Sequence, residues 1–234
     1  MAKLLSRIRN SPGIFALVLI SLAGVFAFSG LASEVLEGES HKLDTQILMM
    51  FRAGGDGNAP IGPGWVQESM RDLTALGGVT LLTIITLGVF LYMLIIRRPL
   101  EAFYVLAAIA SGLTISFLLK HGFDRPRPDL WAHGSITYTA SFPSGHSMMS
   151  ALVYFTLATL LAEVDTRKRA RSFMFFCAAF ITVCVGISRL YLGVHWPSDV
   201  AAGWLAGATW ALMSWLVYHQ FRKAIRRRAA GSGL

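Results

Sequence analysis

His195 and Asp199 lie four residues apart, with Pro197 between them. Proline suits the first position of a helix, which puts Asp199 in that helix's first turn, where the dipole favours a carboxylate. From there the carboxylate accepts the proton on one ring nitrogen of His195, fixes its tautomer and leaves the other nitrogen free. This is the orienter–base logic of a triad, with the imidazole itself as nucleophile. His146 is a second imidazole, suited to general acid work on a leaving oxygen, a role worth about 10²- to 10⁴-fold. Lys120, Arg127 and Arg189 add three positive charges. A phosphate monoester carries about −1.5 to −2 near neutral pH. Arginine offers it forked donors and lysine a point charge. Pro143-Ser144-Gly145-His146 opens an apolar run. Ser144 can cap a helix there, Gly145 lets backbone approach a ligand, and free N–H groups at the helix start face an anion. One such cluster alone reads as snorkelling or interfacial anchoring. Three clusters (Lys120 to Pro128, Ser141 to His146 and Ser188 to Asp199) with complementary chemistry describe a phosphate pocket holding a catalyst.

The elements that must position these residues are apolar. Of 234 residues 54% are hydrophobic and 15% charged, against about 25% charge in an ordinary soluble domain. The apolar residues come in blocks of near 20, the length that crosses a bilayer as a helix. The spacing predicts an all-α, integral-membrane bundle of six transmembrane helices, a single membrane domain over residues 1–234. The expected spans are 14–33, 79–96, 100–119, 144–162, 173–190 and 199–218. The first follows Lys3, Arg7 and Arg9, but it exceeds the roughly 7–15 residues of a signal-peptide core, so an uncleaved helix is expected.

Of the 21 Lys and Arg, fourteen fall in the N-terminus, the 97–98 turn, the 163–172 loop and the tail from Arg222 to Arg228. By the positive-inside rule those segments and both termini are cytoplasmic, and all three polar clusters lie on the opposite face. The net charge of +8 is then a topology signal, and no nucleic-acid partner is expected. Residues 34–78 form the longest connection. Leu43, Ile47, Met50 and Phe51 mark a short helix on the outer membrane surface. Ala53 to Gly64 reads as a flexible Gly- and Pro-rich loop, and Trp65 to Leu76 as a second short helix. Tyr138, Tyr191, Trp131 and Trp196 are expected to anchor the outer interface. Asp124 and Asp129 are expected to pair with Arg125 or Arg127. Cys177 and Cys184 sit seven apart in one block, about 10 Å along a helix and beyond disulfide reach, and are expected to be packing residues.

Lys120-x6-Arg127-Pro128, Pro143-Ser144-Gly145-His146 and Ser188-Arg189-x5-His195-x3-Asp199 resemble the three signature motifs of the type 2 phosphatidic acid phosphatase superfamily. The motifs are complete, in order, and cover residues 120–199. The resemblance implies a membrane lipid phosphatase. In it Lys120, Arg127 and Arg189 hold the phosphate with Ser144 and Gly145. His195 attacks phosphorus and becomes a phosphohistidine. His146 protonates the departing oxygen and then helps activate water, and Asp199 positions His195. It further implies that no metal or other cofactor is needed, in keeping with the lack of a spare carboxylate pair in the clusters. His41, His121, His133 and His219 fall outside the motifs and are given no catalytic role.

The leading expectation is hydrolysis of a lipid phosphate or diphosphate headgroup at the outer, periplasmic face of a bacterial-type inner membrane. Candidate substrates are undecaprenyl diphosphate, phosphatidylglycerol phosphate, phosphatidic acid and lipid A phosphate. A lipid phosphotransferase built on the same phosphohistidine is the alternative. A transporter is disfavoured because the charges gather at one rim rather than at mid-membrane. A haloperoxidase activity is disfavoured by the spans. Oligomeric state has no signature in the chain.

Overall fold

Backbone polar groups inside a bilayer have no water to bond, so an apolar run crosses as a helix. The computed structural model describes residues 12–53, 59–128, 140–165 and 167–231. Helix α1 spans Pro12–Glu37, α2 His41–Met49, α3 Gly64–Ala75 and α4 Val79–Ile95. Helix α5 covers Pro99–Phe123, α6 Gly145–Val164, α7 Lys168–Tyr191 and α8 Pro197–Gly231. Five of these are long and apolar enough to cross a membrane alone. A sixth candidate is the pair α3 and α4 taken together, bent by 42°. An all-helical bundle with five spans, or six with that bent pair, agrees in outline with the expected architecture.

Several boundaries and one loop differ from the expected ones: α1 runs to Glu37 rather than 33, and α7 starts at Lys168 rather than 173. The last helix continues to Gly231 rather than ending near residue 218. Arginine, lysine and alanine are good helix formers and no proline or glycine interrupts them before Gly231. The third helix runs on to Phe123, so Lys120 is helical and lies one turn from the end. Asp124 then stops α5 in the left-handed region, its N–H 3.3 Å from the Lys120 carbonyl oxygen. The Ala53–Gly64 stretch is not simply a loop. Arg52–Ala53 (β1) and Ala59–Pro60 (β2) pair antiparallel, with Arg52 opposite Pro60. The residues between these strands lie outside the described ones. The two short helices of the connection fall within two residues of their expected places.

Helix α6 is the axis of the bundle. It packs on α7, α8 and α5, while α1 covers α8, α4 covers α5 and α3 covers α7. About 61% of α6's apolar window is enclosed, against 6% for α1. Leu152, Val153 and Met149 of α6 join Val105, Ala108 and Ala211 in the largest core cluster. Close approach of α6 and α8 rests on glycine. A Cβ at Gly203 would lie 2.7 Å from the Ser144 carbonyl oxygen, and one at Gly207 would run into the Met148 carbonyl oxygen, approaches real Cβ atoms do not make, so the helices meet backbone to backbone at these two glycines. Large apolar side chains such as Phe26, Ile95 and Phe173 point outward, as lipid-facing positions do. The two cysteines are free and half-buried within α7.

Alternation along the chain brings the end of α5, the start of α6, the end of α7 and the start of α8 to one end of the bundle. The three polar clusters meet there.

Candidate active site

Ser144 caps α6: its Oγ accepts the Ser147 N–H at 3.4 Å and the Ser147 hydroxyl at 3.0 Å. Its own N–H donates to the Asp199 carbonyl oxygen at 3.0 Å. The starts of α6 and α8 are thereby fastened together. Gly145 follows, and a Cβ there would stand 3.4 Å from Lys120 Cε, so the lysine stem passes directly over the backbone at the helix start. Lys120 Nζ donates to the Ala140 carbonyl oxygen at 2.8 Å. The Ser141 N–H donates to the Arg125 carbonyl oxygen at 2.8 Å, which joins the first cluster to the second.

His195 sits in the turn before α8, with its side chain enclosed. Its Nδ1 is 3.3 Å from Asp199 Oδ2, and its Nε2 is 3.2 Å from Arg127 Nη1. A guanidinium has only donors, so Nε2 is the bare nitrogen and Nδ1 carries the proton toward Asp199. Burial pushes the His195 pKa down to about 3, against the pull of the Asp199 charge. The ring is therefore neutral near pH 7, with its lone pair facing an arginine.

Arg127 also donates to the Val194 carbonyl oxygen at 2.7 Å. Burial lowers its pKa while Asp199 raises it, and the group stays charged. Arg189 donates to Thr74 Oγ1 at 3.0 Å, and its buried Nε has no partner among the described residues. Lys120 feels the charges of Arg127 and Arg189. His146, in the first turn of α6, lies in the field of Arg189, His195, Arg127 and Lys120. Like charges held this close under partial burial repel, and an anion bound among them relieves the repulsion.

The structure thus brings together all eight residues singled out from the sequence: Lys120, Arg127, Ser144, Gly145, His146, Arg189, His195 and Asp199. Several partners were not foreseen. Asp199 Oδ2 also accepts the Trp196 N–H at 2.9 Å and the Ser141 hydroxyl. Its Oδ1 accepts from Arg125 Nη1 at 2.6 Å. Arg125 was expected to pair with Asp124 or Asp129. Instead it turns to Asp199 and to Asp44 on α2, 2.8 Å away, because the left-handed turn at Asp124 sends the chain back over the start of α8. Asp129 lies outside the described residues. Tyr191 and Trp196, expected at the interface, are buried: Tyr191 donates to the Ile61 carbonyl oxygen and Trp196 Nε1 to that of Pro126. Trp131, Tyr138 and His133 lie outside the described residues. Ser141 and Arg125 stood inside the polar clusters and were visible there. Asp44 carried no signal, since its contact with Ser198 spans 154 residues of chain.

Comparison with known proteins agrees with this geometry. Residues 101–224 match the PAP2 superfamily. Phosphatidylglycerophosphatase B of Bacillus subtilis is 33% identical over 170 residues, 70% of this chain and 78% of that one. A lipid A 1-phosphatase of Rhizobium etli is 30% identical over 189 residues, covering 69% and 77%. The crystal structure of a transmembrane PAP2-type phosphatidylglycerolphosphate phosphatase from Bacillus subtilis superposes with a TM-score of 0.73 at 25% identity, over 88% of this chain and 96% of that one. Three motifs converging at one end of a matching helical bundle leave a single assignment: the chain belongs to the PAP2 superfamily and is a multi-pass membrane phosphatase.

Proposed function

We propose that the chain hydrolyses the phosphate or diphosphate headgroup of a membrane lipid through a phosphohistidine on His195. The observation that carries this reading is the orientation of His195, with Nδ1 on Asp199 and a neutral, unprotonated Nε2 turned to Arg127. The Nε2 lone pair attacks phosphorus as the bond from phosphorus to the lipid oxygen breaks. The bound phosphate offsets the cations around His146 and lets it hold a proton, which it gives to that departing oxygen. Lys120, Arg127, Arg189 and the N–H groups at the start of α6 take up the charge that builds on the other phosphoryl oxygens. Water then attacks the P–N bond, His146 takes its proton, and phosphate leaves with His195 neutral again. Asp199 stabilises the ring while it is positive. Ser144 holds the start of α6 in place, and Gly145 keeps the backbone open to the ligand.

The lipid character rests on position. The pocket lies at the ends of α5 to α8, so the hydrocarbon chain stays in the bilayer while the headgroup reaches His195. The relatives named above act on phosphatidylglycerophosphate and lipid A. Undecaprenyl diphosphate and phosphatidic acid belong to the same chemical class. The bias of fourteen basic residues to the other side supports an inner membrane with cytoplasmic termini and a periplasmic site.

The test is phosphate release by the purified protein from a panel of lipid phosphates and diphosphates, run beside His195→Ala. At least one lipid is expected to yield free phosphate, and the variant, inserted and monodisperse, is expected to yield none. Full turnover by His195→Ala would remove the nucleophile. Transfer of label to a second lipid, without free phosphate, would make the chain a transferase.

A further inference from the structure

The Asp199 carboxylate is held from behind by Arg125, which stands at an unspecified position within the first motif. Its Oδ2 faces the site, taking His195 Nδ1, the Trp196 N–H and the Ser141 hydroxyl. Its Oδ1 faces away and takes Arg125 Nη1 at 2.6 Å. Arg125 has a second nitrogen, Nη2, at 2.8 Å from Asp44 Oδ2 and 3.4 Å from Ser40 Oγ. One planar guanidinium therefore bridges two carboxylates from two parts of the chain. Asp44 is buried and does more than balance charge: Oδ1 accepts the Ser198 N–H at 2.8 Å and Oδ2 the Ser198 hydroxyl at 2.6 Å. It caps the first turn of α8 from outside. Trp196 lies under the guanidinium at 5.5 Å, so the fork has little freedom to turn.

A carboxylate anchored through one oxygen can still rotate about its own axis. With both oxygens held it cannot, and Oδ2 stays aimed at the imidazole. We propose that Arg125, clamped by Asp44, is a positioning residue that fixes the Asp199 carboxylate and through it the orientation and tautomer of His195. This rests on the phosphohistidine reading above. Arg125 touches neither His195 nor the cation cradle, so it acts on turnover and not on phosphate binding. Lysine cannot replace it fully, because an ammonium lacks the flat fork that serves both carboxylates. Short interfacial helix α2 becomes part of the catalytic framework.

The experiment measures steady-state hydrolysis of a short-chain phosphatidic acid, and inhibition by inorganic phosphate, for wild type, Arg125→Gln, Arg125→Lys, Asp44→Asn and the Arg125→Gln/Asp44→Asn double variant, with His195→Ala alongside. Arg125→Gln is expected to lose about 10²-fold in kcat, the scale of a catalytic group displaced by about 1 Å. Its KM and inorganic-phosphate inhibition constant are expected to stay within about twofold. Arg125→Lys should recover part of the loss. Asp44→Asn should fall in the same direction, and the double variant should be no worse than Arg125→Gln, since both act through one contact. Unchanged kcat in folded variants would overturn the proposal. So would KM and inorganic-phosphate constants that worsen as much as kcat, or losses that multiply. If Arg125→Gln does not accumulate, Arg125→Lys and Asp44→Asn give the same split between kcat and KM. A wild type that releases no phosphate from any lipid of the panel above, or a His195→Ala chain that does, would instead sink the phosphohistidine reading itself.

Discussion

As the proposed nucleophile, His195 has to stay neutral beside a carboxylate that favours its protonation. Burial decides the contest, holding the pKa at about 3 against an ordinary value near 6.5. Arg189 and Arg127 push the same way, Asp199 the other, and His146 faces the ring from α6. The sign for stability follows directly. Below about pH 6.5 the unfolded chain takes up a proton that the folded chain refuses, so folding weakens as pH falls through the window from about 6.5 to 3. The slope for one such group is about 1.4 kcal/mol per pH unit. His195→Gln removes it. The apparent melting temperature of wild type in detergent is expected to fall more steeply between pH 7 and pH 5 than that of His195→Gln. Parallel curves would mean that His195 takes up its proton in the folded protein as readily as in the unfolded one, so that burial does not hold the ring neutral.

Helix α6 delivers Ser144, Gly145 and His146, and helix α8 delivers Asp199, so the distance between these two helices sets the site. Gly203 and Gly207 allow the approach. Gly203→Val would press a branched side chain against the Ser144 carbonyl, an overpacking that costs about 1–3 kcal/mol and moves the start of α6 away from Asp199. Phosphate release is expected to drop about 10²-fold, whereas Gly88→Val on α4, which faces open space, is expected to leave it unchanged. Equal activity in the two variants would show that the α6–α8 contact does not govern the site. Sequence and structure diverge at this level for a physical reason. Apolar blocks with polar ends announce helices directly, and the motif residues had to share a rim because each lies at a block's end. What brings α6 and α8 to contact distance is a pair of glycines whose role depends on what stands opposite. The Asp44 clamp likewise joins segments 154 residues apart, a pairing that no local period encodes. The extent of α8 was missed because its last turns are basic, and hydropathy stops counting where helix propensity does not.

Helix α8 has 35 residues, about 52 Å at 1.5 Å per residue, against a hydrocarbon core of about 30 Å. Its start is fixed at the site by Asp44 and Ser144, so the excess length emerges at the opposite end. Arg222 is the first basic residue of that excess, and it is held there by Glu163 and Tyr218. Beyond it Lys223 to Arg228 leave the bilayer as an exposed cationic helix. The site and the tail are thus at opposite membrane faces by construction, and one orientation measurement places both. With the tail cytoplasmic, Lys42→Cys on α2 is expected to react with a membrane-impermeant maleimide in intact spheroplasts. Arg227→Cys is expected to react only after the membrane is opened. The half-buried native cysteines of α7 are replaced by alanine beforehand. The reverse pattern would put the phosphate pocket in the cytoplasm and require a substrate from the inner leaflet. Labelling of both positions in intact spheroplasts would contradict the six-crossing path, because the five crossings α4 to α8 that separate α2 from the tail put them on opposite sides.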